Sequence, residues 1–201
     1  MHAFKIDDNM LDALKELANI GIGNAVTSLS QLLGEEKINM VIPVATLVPL
    51  QDAPESLGEE EIPVAGVYIK AAGDVDLTVL FVLSLDSAAN LITNLIPGTK
   101  GGLDQMGISV LIEVGNILTG SYLNAVSLMT GLNLLPSPPQ IAVDMSGAII
   151  STVMAENQLI DDEVVLLRTT IRTMESRIDG NILILPDGGA LEKIFSILGL
   201  R

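Results

Sequence analysis

Two stretches of the chain place matching polar side chains at matching intervals. Asp12, Glu16, Asn19 and Gly23 in "DALKELANIGIG" recur as Ser109, Glu113, Asn116 and Gly120 in "SVLIEVGNILTG", at one constant offset of 97. Steps of four, three and four put each set on one face of a helix. An Asn amide offers donors and an acceptor without charge, so it can orient a water molecule, and a Glu can grip a lysine. That pairing suits water-directed chemistry on a phosphoryl group, where positioning does most of the work. A glycine inside a helix costs roughly 1 kcal/mol relative to alanine. One turn beyond the asparagine, it bares a patch of backbone and lets another molecule come close to the Asn and Glu.

A single copy carries little weight. Glu, Asn, Asp and Ser are ordinary residues of a solvated helix face, and Glu36 with Asn39 repeats the Glu-x-x-Asn spacing without an acid or Ser four residues earlier. The weight lies in two full copies, each followed by its glycine. Duplication of a glycine needed for helix–helix packing would leave the same trace, so that explanation stands beside the catalytic one.

Both sets need long helices to carry them. Residues 7–33 form the first, with Asp7 or Asp8 as N-cap, Gly34 as the stop, and a buried stripe of Leu11, Leu14, Ala18, Ile22, Ala25, Leu29 and Leu32. At about 100° per residue, the polar set sits roughly a third of a turn from that stripe and faces solvent or a partner. Residues 38–50, broken by Pro43 and Pro49, predict an edge or irregular strand, and 51–61 a polar, acidic loop. Two strands follow, turning at Gly73 and Asp74, then a short helix opened by Asp86. The order then repeats: a long helix over 104–131, a strand at "PQIAVDM", a strand pair, and a helix opened by Asp187. "SGAIISTVMAENQ" stands in the second half as a helical insertion, and "SRIDG" at 176–180 as a hairpin turn. The expected fold is α/β of the α+β kind: a pseudo-two-fold duplicated unit, with two long helices packed on a shared, largely antiparallel sheet. Residues 1–201 form one domain of two repeats, about 7–97 and 104–200, because each half alone offers too little core.

Composition removes other chemistries. There is no Cys and a single His, His2, so disulfides, thiolate sites, histidine metal sites and Ser-His triads are out, and no metal ligands are assigned. Half the chain is hydrophobic, with no Trp, three Phe and two Tyr, so the core is aliphatic. A formal charge of −15 repels nucleic acid and anionic lipid and favours a basic partner surface. No continuous apolar run reaches the roughly 20 residues of a membrane span, and the start lacks a signal-peptide core. The expectation is a cytoplasmic protein without membrane insertion.

The pattern Asp/Ser, three residues, Glu, two residues, Asn, at Asp12/Glu16/Asn19 and Ser109/Glu113/Asn116, together with "NIGIGNA" and "PPQIAVDM" at 138–145, resembles the CheC, CheX and FliY chemotaxis phosphatases over essentially the whole chain. Two motifs in one chain make it more similar to CheC than to the single-motif CheX. The resemblance implies dephosphorylation of the response regulator phospho-CheY, with Asn19 and Asn116 aligning a water for in-line attack on its aspartyl phosphate. It implies that Glu16 and Glu113 contact a regulator lysine, that Asp12, Ser109, Gly23 and Gly120 support them, and that Mg²⁺ sits on the regulator, with no cofactor on this chain. It also implies the receptor deamidase CheD as a second partner. The alternative is a non-catalytic adaptor of the chemotaxis or flagellar switch apparatus that sequesters CheD or binds CheY, similar to the FliM middle domain, which lacks the Glu/Asn pairs.

Overall fold

The computed structural model describes residues 6–32, 39–57, 61–96, 98–157, 163–172, 177–186 and 189–200. Helix α1 (Asp8–Leu32) is capped by Asp7, whose carboxylate accepts the Met10 N–H at 2.9 Å. The equivalent helix α4 (Gln105–Thr130) is capped by Asp104, which accepts from Met106 and Gly107, and it ends at Gly131 with φ +71°. Gly34 and Asp187, expected to stop α1 and open the last helix, lie outside the described residues.

Among the described residues, seven strands form one sheet. They are β1 (Asn39–Pro49), β2 (Pro63–Gly73), β3 (Leu77–Ser84), β4 (Leu134–Pro136), β5 (Gln140–Met145), β6 (Glu163–Arg172) and β7 (Arg177–Pro186). The order is β1-β6-β7-β3-β2-β4, with β5 also paired to β2, and every pairing is antiparallel. The edge strands cross over: β1 pairs with β6 from the far half of the chain, and β5 with β2 from the near half. β1 is an edge strand with a register shift between Val41 and Val44, where Pro43 withholds a ladder donor.

Strands β2, β3, β6 and β7 read as near-continuous apolar runs because both faces of the sheet are covered. On one face Val79, Phe81, Val165, Leu167 and Ile184 pack against α1, α4, α3 (Leu85–Leu95) and α6 (Ala190–Ile197). On the other, Tyr68, Leu80, Val82 and Leu183 meet Ile149, Ile150 and Val153 of α5 (Ser146–Asn157) and Ala53 of α2 (Ala53–Leu57).

Several local expectations are corrected. The acidic loop at 51–61 holds a 3₁₀ turn, Leu50–Asp52, that runs into α2, because Leu50 and Ala53 are drawn into the second core. Helix α5 is therefore no insertion without a counterpart: it packs beside α2 on the same face. Residues 177–180 of "SRIDG" belong to β7, where pairing with β6 overrides the Asp-Gly turn signal and Gly180 lies under Phe81. Ser84, not Asp86, caps α3, accepting from the Ser87 N–H at 3.1 Å. The short strand β4 was unannounced. In α1, Leu32 is 42 % exposed and Leu11 half-buried, while Met10, Leu17 and Gly21 are buried. The helix packs against both α4 and β1, which turns its inner stripe.

One 18-residue window of α4 averages a hydropathy of 1.3, so its length and composition would allow a membrane crossing. Scattered Ser, Thr, Asn and Gly hide this from a search for continuous runs. A helix at the centre of a folded domain has the same composition, and Leu111, Val114, Leu118, Leu123 and Val126 are buried within the core.

Candidate active site on two helix ridges

All the predicted site residues fall on the outer faces of α1 and α4. Asp12, Glu16 and Gly23 are exposed and Asn19 is half-buried; Ser109, Glu113 and Asn116 are exposed and Gly120 is half-buried. Their neighbours one step round each helix, Leu14, Leu17 and Ala18 in α1 and Leu111, Val114 and Gly115 in α4, are sealed inside. Each Glu/Asn pair thus forms a ridge whose base is fixed in the core. Among the described residues no hydrogen bond or ion pair ties down the Glu16, Asn19, Glu113 or Asn116 side chains. The Ser109 hydroxyl donates to the Gln105 carbonyl of its own helix at 2.9 Å, so at rest it braces the turn.

The glycines separate the two explanations left open by the sequence. Among the described residues, a Cβ built on Gly23 or Gly120 meets no atom within 4 Å. Neither packs against a described residue, so the helix stability each one forgoes has no return there. The close approaches occur elsewhere. A Cβ on Gly21 would stand 2.8 Å from the Ser121 carbonyl oxygen of α4, and one on Gly115 would lie 2.5 Å from the Val67 side chain of β2. Gly21 lets the α1 and α4 backbones touch, and Gly115 lets α4 settle onto the sheet, so both ridges rest on helices packed into one core. These two were missed from sequence. Their only signal is a small residue within the buried stripe, beside Ala18 in α1 and before Thr119 in α4.

Tyr122 and Asp179 depart from ordinary titration, and neither is on a ridge. Burial pushes the Tyr122 phenol far above its usual range, which makes it an inert core group. Asp179 is held below the usual carboxylate range, first by the Thr170 hydroxyl donating at 2.7 Å and then by Arg177 at 3.0 Å. No group of three or more His, Asp or Glu that could hold a metal ion occurs among the described residues.

The sequence is 33 % identical over 201 residues to the CheY-P phosphatase CheC of Bacillus subtilis, covering 96 % of each chain. This chain belongs to the CheC-like family. The CheC-like family profile matches residues 10–45 and 106–143, which include both ridges. The CheC-like fold is shared more widely. FliY of Thermotoga maritima matches with a TM-score of 0.78 at 15 % identity, over 98 % of this chain and 99 % of that one. The FliM middle domain of H. pylori matches at 0.69 and 13 % identity, over 96 % and 99 %. CheX, in a CheX-CheY-BeF3-Mg complex from Borrelia burgdorferi, matches at 0.52 and 14 % identity, over 87 % and 99 %. At such identities these likenesses speak for the fold alone.

Proposed function

We propose that this CheC-like chain is a phosphatase that removes the aspartyl phosphate of a CheY-type response regulator, once at each ridge. The observation that carries the reading is the pair of outward Glu/Asn sets, each backed by a glycine with no internal packing role, on a chain related to a CheY-P phosphatase. Asn19 or Asn116 enters the regulator's phosphate pocket and holds a water in line with the phosphorus, while Glu16 or Glu113 grips a regulator lysine and fixes the register. Mg²⁺ belongs to the regulator. The bare backbone at Gly23 and Gly120 admits the regulator's loop, with Asp12 and Ser109 supporting the start of each ridge.

The same proposal makes residues 1–201 one cytoplasmic domain of two repeats, about 7–97 and 104–200; the path β1-β6-β7-β3-β2-β5, in which β1, β2 and β3 mirror β5, β6 and β7, supports this. The charge of −15 favours a basic docking surface, and CheD is retained as a second partner on that ground. The test is the decay of phosphorylated regulator with and without the protein. Asn19→Ala combined with Asn116→Ala should abolish the acceleration, a loss on the order of 10²-fold or more for a misplaced water. An unchanged phosphate lifetime with intact protein in stoichiometric excess transfers the chain to the adaptor reading.

A further inference from the structure

Each ridge begins one turn before the residues assigned above, and there the two differ. Met106, Ser109, Glu113, Asn116 and Gly120 lie at steps of three, four, three and four along α4, a single stripe. The matching stripe of α1 is Asn9, Asp12, Glu16, Asn19 and Gly23. Met106 is 61 % exposed, and it lines a shallow hollow of about 470 Å³ with Asp104, Gln105 and Ser109. A lone exposed methionine needs no explanation in general. This one continues the ridge stripe and sits in a shallow, open hollow whose surface is more apolar than polar, with the polar ends of Asp104, Gln105 and Ser109 beside it, the arrangement of an apolar anchor near a polar rim.

We propose that Met106 is a docking anchor that makes the α4 ridge the tighter site, and that it receives an apolar side chain from the regulator surface beside the phosphate pocket. The inference rests on the phosphatase reading for the identity of the partner. A thioether is unbranched and polarisable, so it adapts to whatever apolar group enters the hollow. Asn9 offers the α1 ridge no such contact, and docking there depends on Asp8, Asp12 and Glu16, with Lys15 beside them. Salt screens those charges, since the Debye length falls from about 10 Å at 0.1 M to about 3 Å at 1 M. It does not screen the methionine.

The test isolates each ridge. With the α1 ridge disabled by Glu16→Arg and Asn19→Ala, Met106→Asn should raise KM for phosphorylated regulator about five-fold while kcat holds, and Met106→Leu should restore KM. With the α4 ridge disabled by Glu113→Arg and Asn116→Ala, Asn9→Met should lower KM, and the gain should persist in 1 M salt. Calorimetric titration with beryllofluoride-activated regulator should show the same ordering in Kd. Equal KM and Kd for Met106→Asn and its parent, in a protein that does remove phosphate, overturn the anchor and leave the phosphatase reading intact. Methionine-dependent binding without phosphate loss keeps the anchor and removes the enzyme. No binding to activated regulator overturns both.

Discussion

The contrast between open and closed glycines predicts that stability and activity move in opposite directions. Gly→Ala in a helix interior stabilises by about 1 kcal/mol when the methyl group has room. Gly23 and Gly120 have it, with no atom of the described residues within 4 Å of the added carbon. The double substitution Gly23→Ala/Gly120→Ala should therefore add about 2 kcal/mol, or about 4–8 °C in Tm at this chain length. Gly21→Ala makes the same propensity gain but drives its methyl to 2.8 Å from the Ser121 carbonyl oxygen and 3.1 Å from the Tyr122 Cα. Those are backbone atoms that cannot swing aside. Overpacking of about 1–3 kcal/mol outweighs the gain and lowers Tm. Thermal unfolding followed by circular dichroism ranks the three proteins, and phosphate loss from the regulator is measured beside it. If the proposed function holds, the stabilised double variant should also be slower, because the two added methyl groups then stand in the proposed path to Asn19 and Asn116. A fall in Tm for Gly23→Ala/Gly120→Ala, or an equal rise for Gly21→Ala, refutes the assignment of which glycines pack.

Two further outcomes test the framework around the ridges. Asp104→Ala removes the acceptor of the Met106 and Gly107 N–H groups at 3.1 and 2.9 Å and should cost about 1 kcal/mol, a drop of about 2–4 °C in Tm by the same unfolding assay. Asp179 has a depressed pKa, so its contribution is present above the unfolded-state value of about 3.9 and is lost as pH falls through the lower folded-state value. Asp179→Asn should accordingly lower Tm slightly near neutral pH, the group being largely solvent-exposed, and the difference from the parent should close on acidification.

Where local chemistry decides structure, the sequence was legible. The long helices, the Asp7 cap, the edge character of β1 and the turn after Gly73 follow from periodicity, capping and proline. The errors arose where distant contacts override local signals. Asp179-Gly180 has turn chemistry, yet both residues sit within β7 because β6 and Phe81 hold them there. Helix α2 is five residues long, too short for a periodic pattern, and forms because Ala53 has a core to enter.

The sequence by itself determined the two ridges. Spacings of three and four residues bring Glu16 beside Asn19 and Glu113 beside Asn116 through the helical pitch alone, whatever lies beneath. Their outward face also followed from the apolar stripe beside them, but only the tertiary structure decided that the two ridges share one core, which strands pair across the halves, and that Gly21 and Gly115 pack while Gly23 and Gly120 stay bare. Each of those outcomes depends on a surface supplied from elsewhere in the chain, and a short window of residues carries no record of its partner.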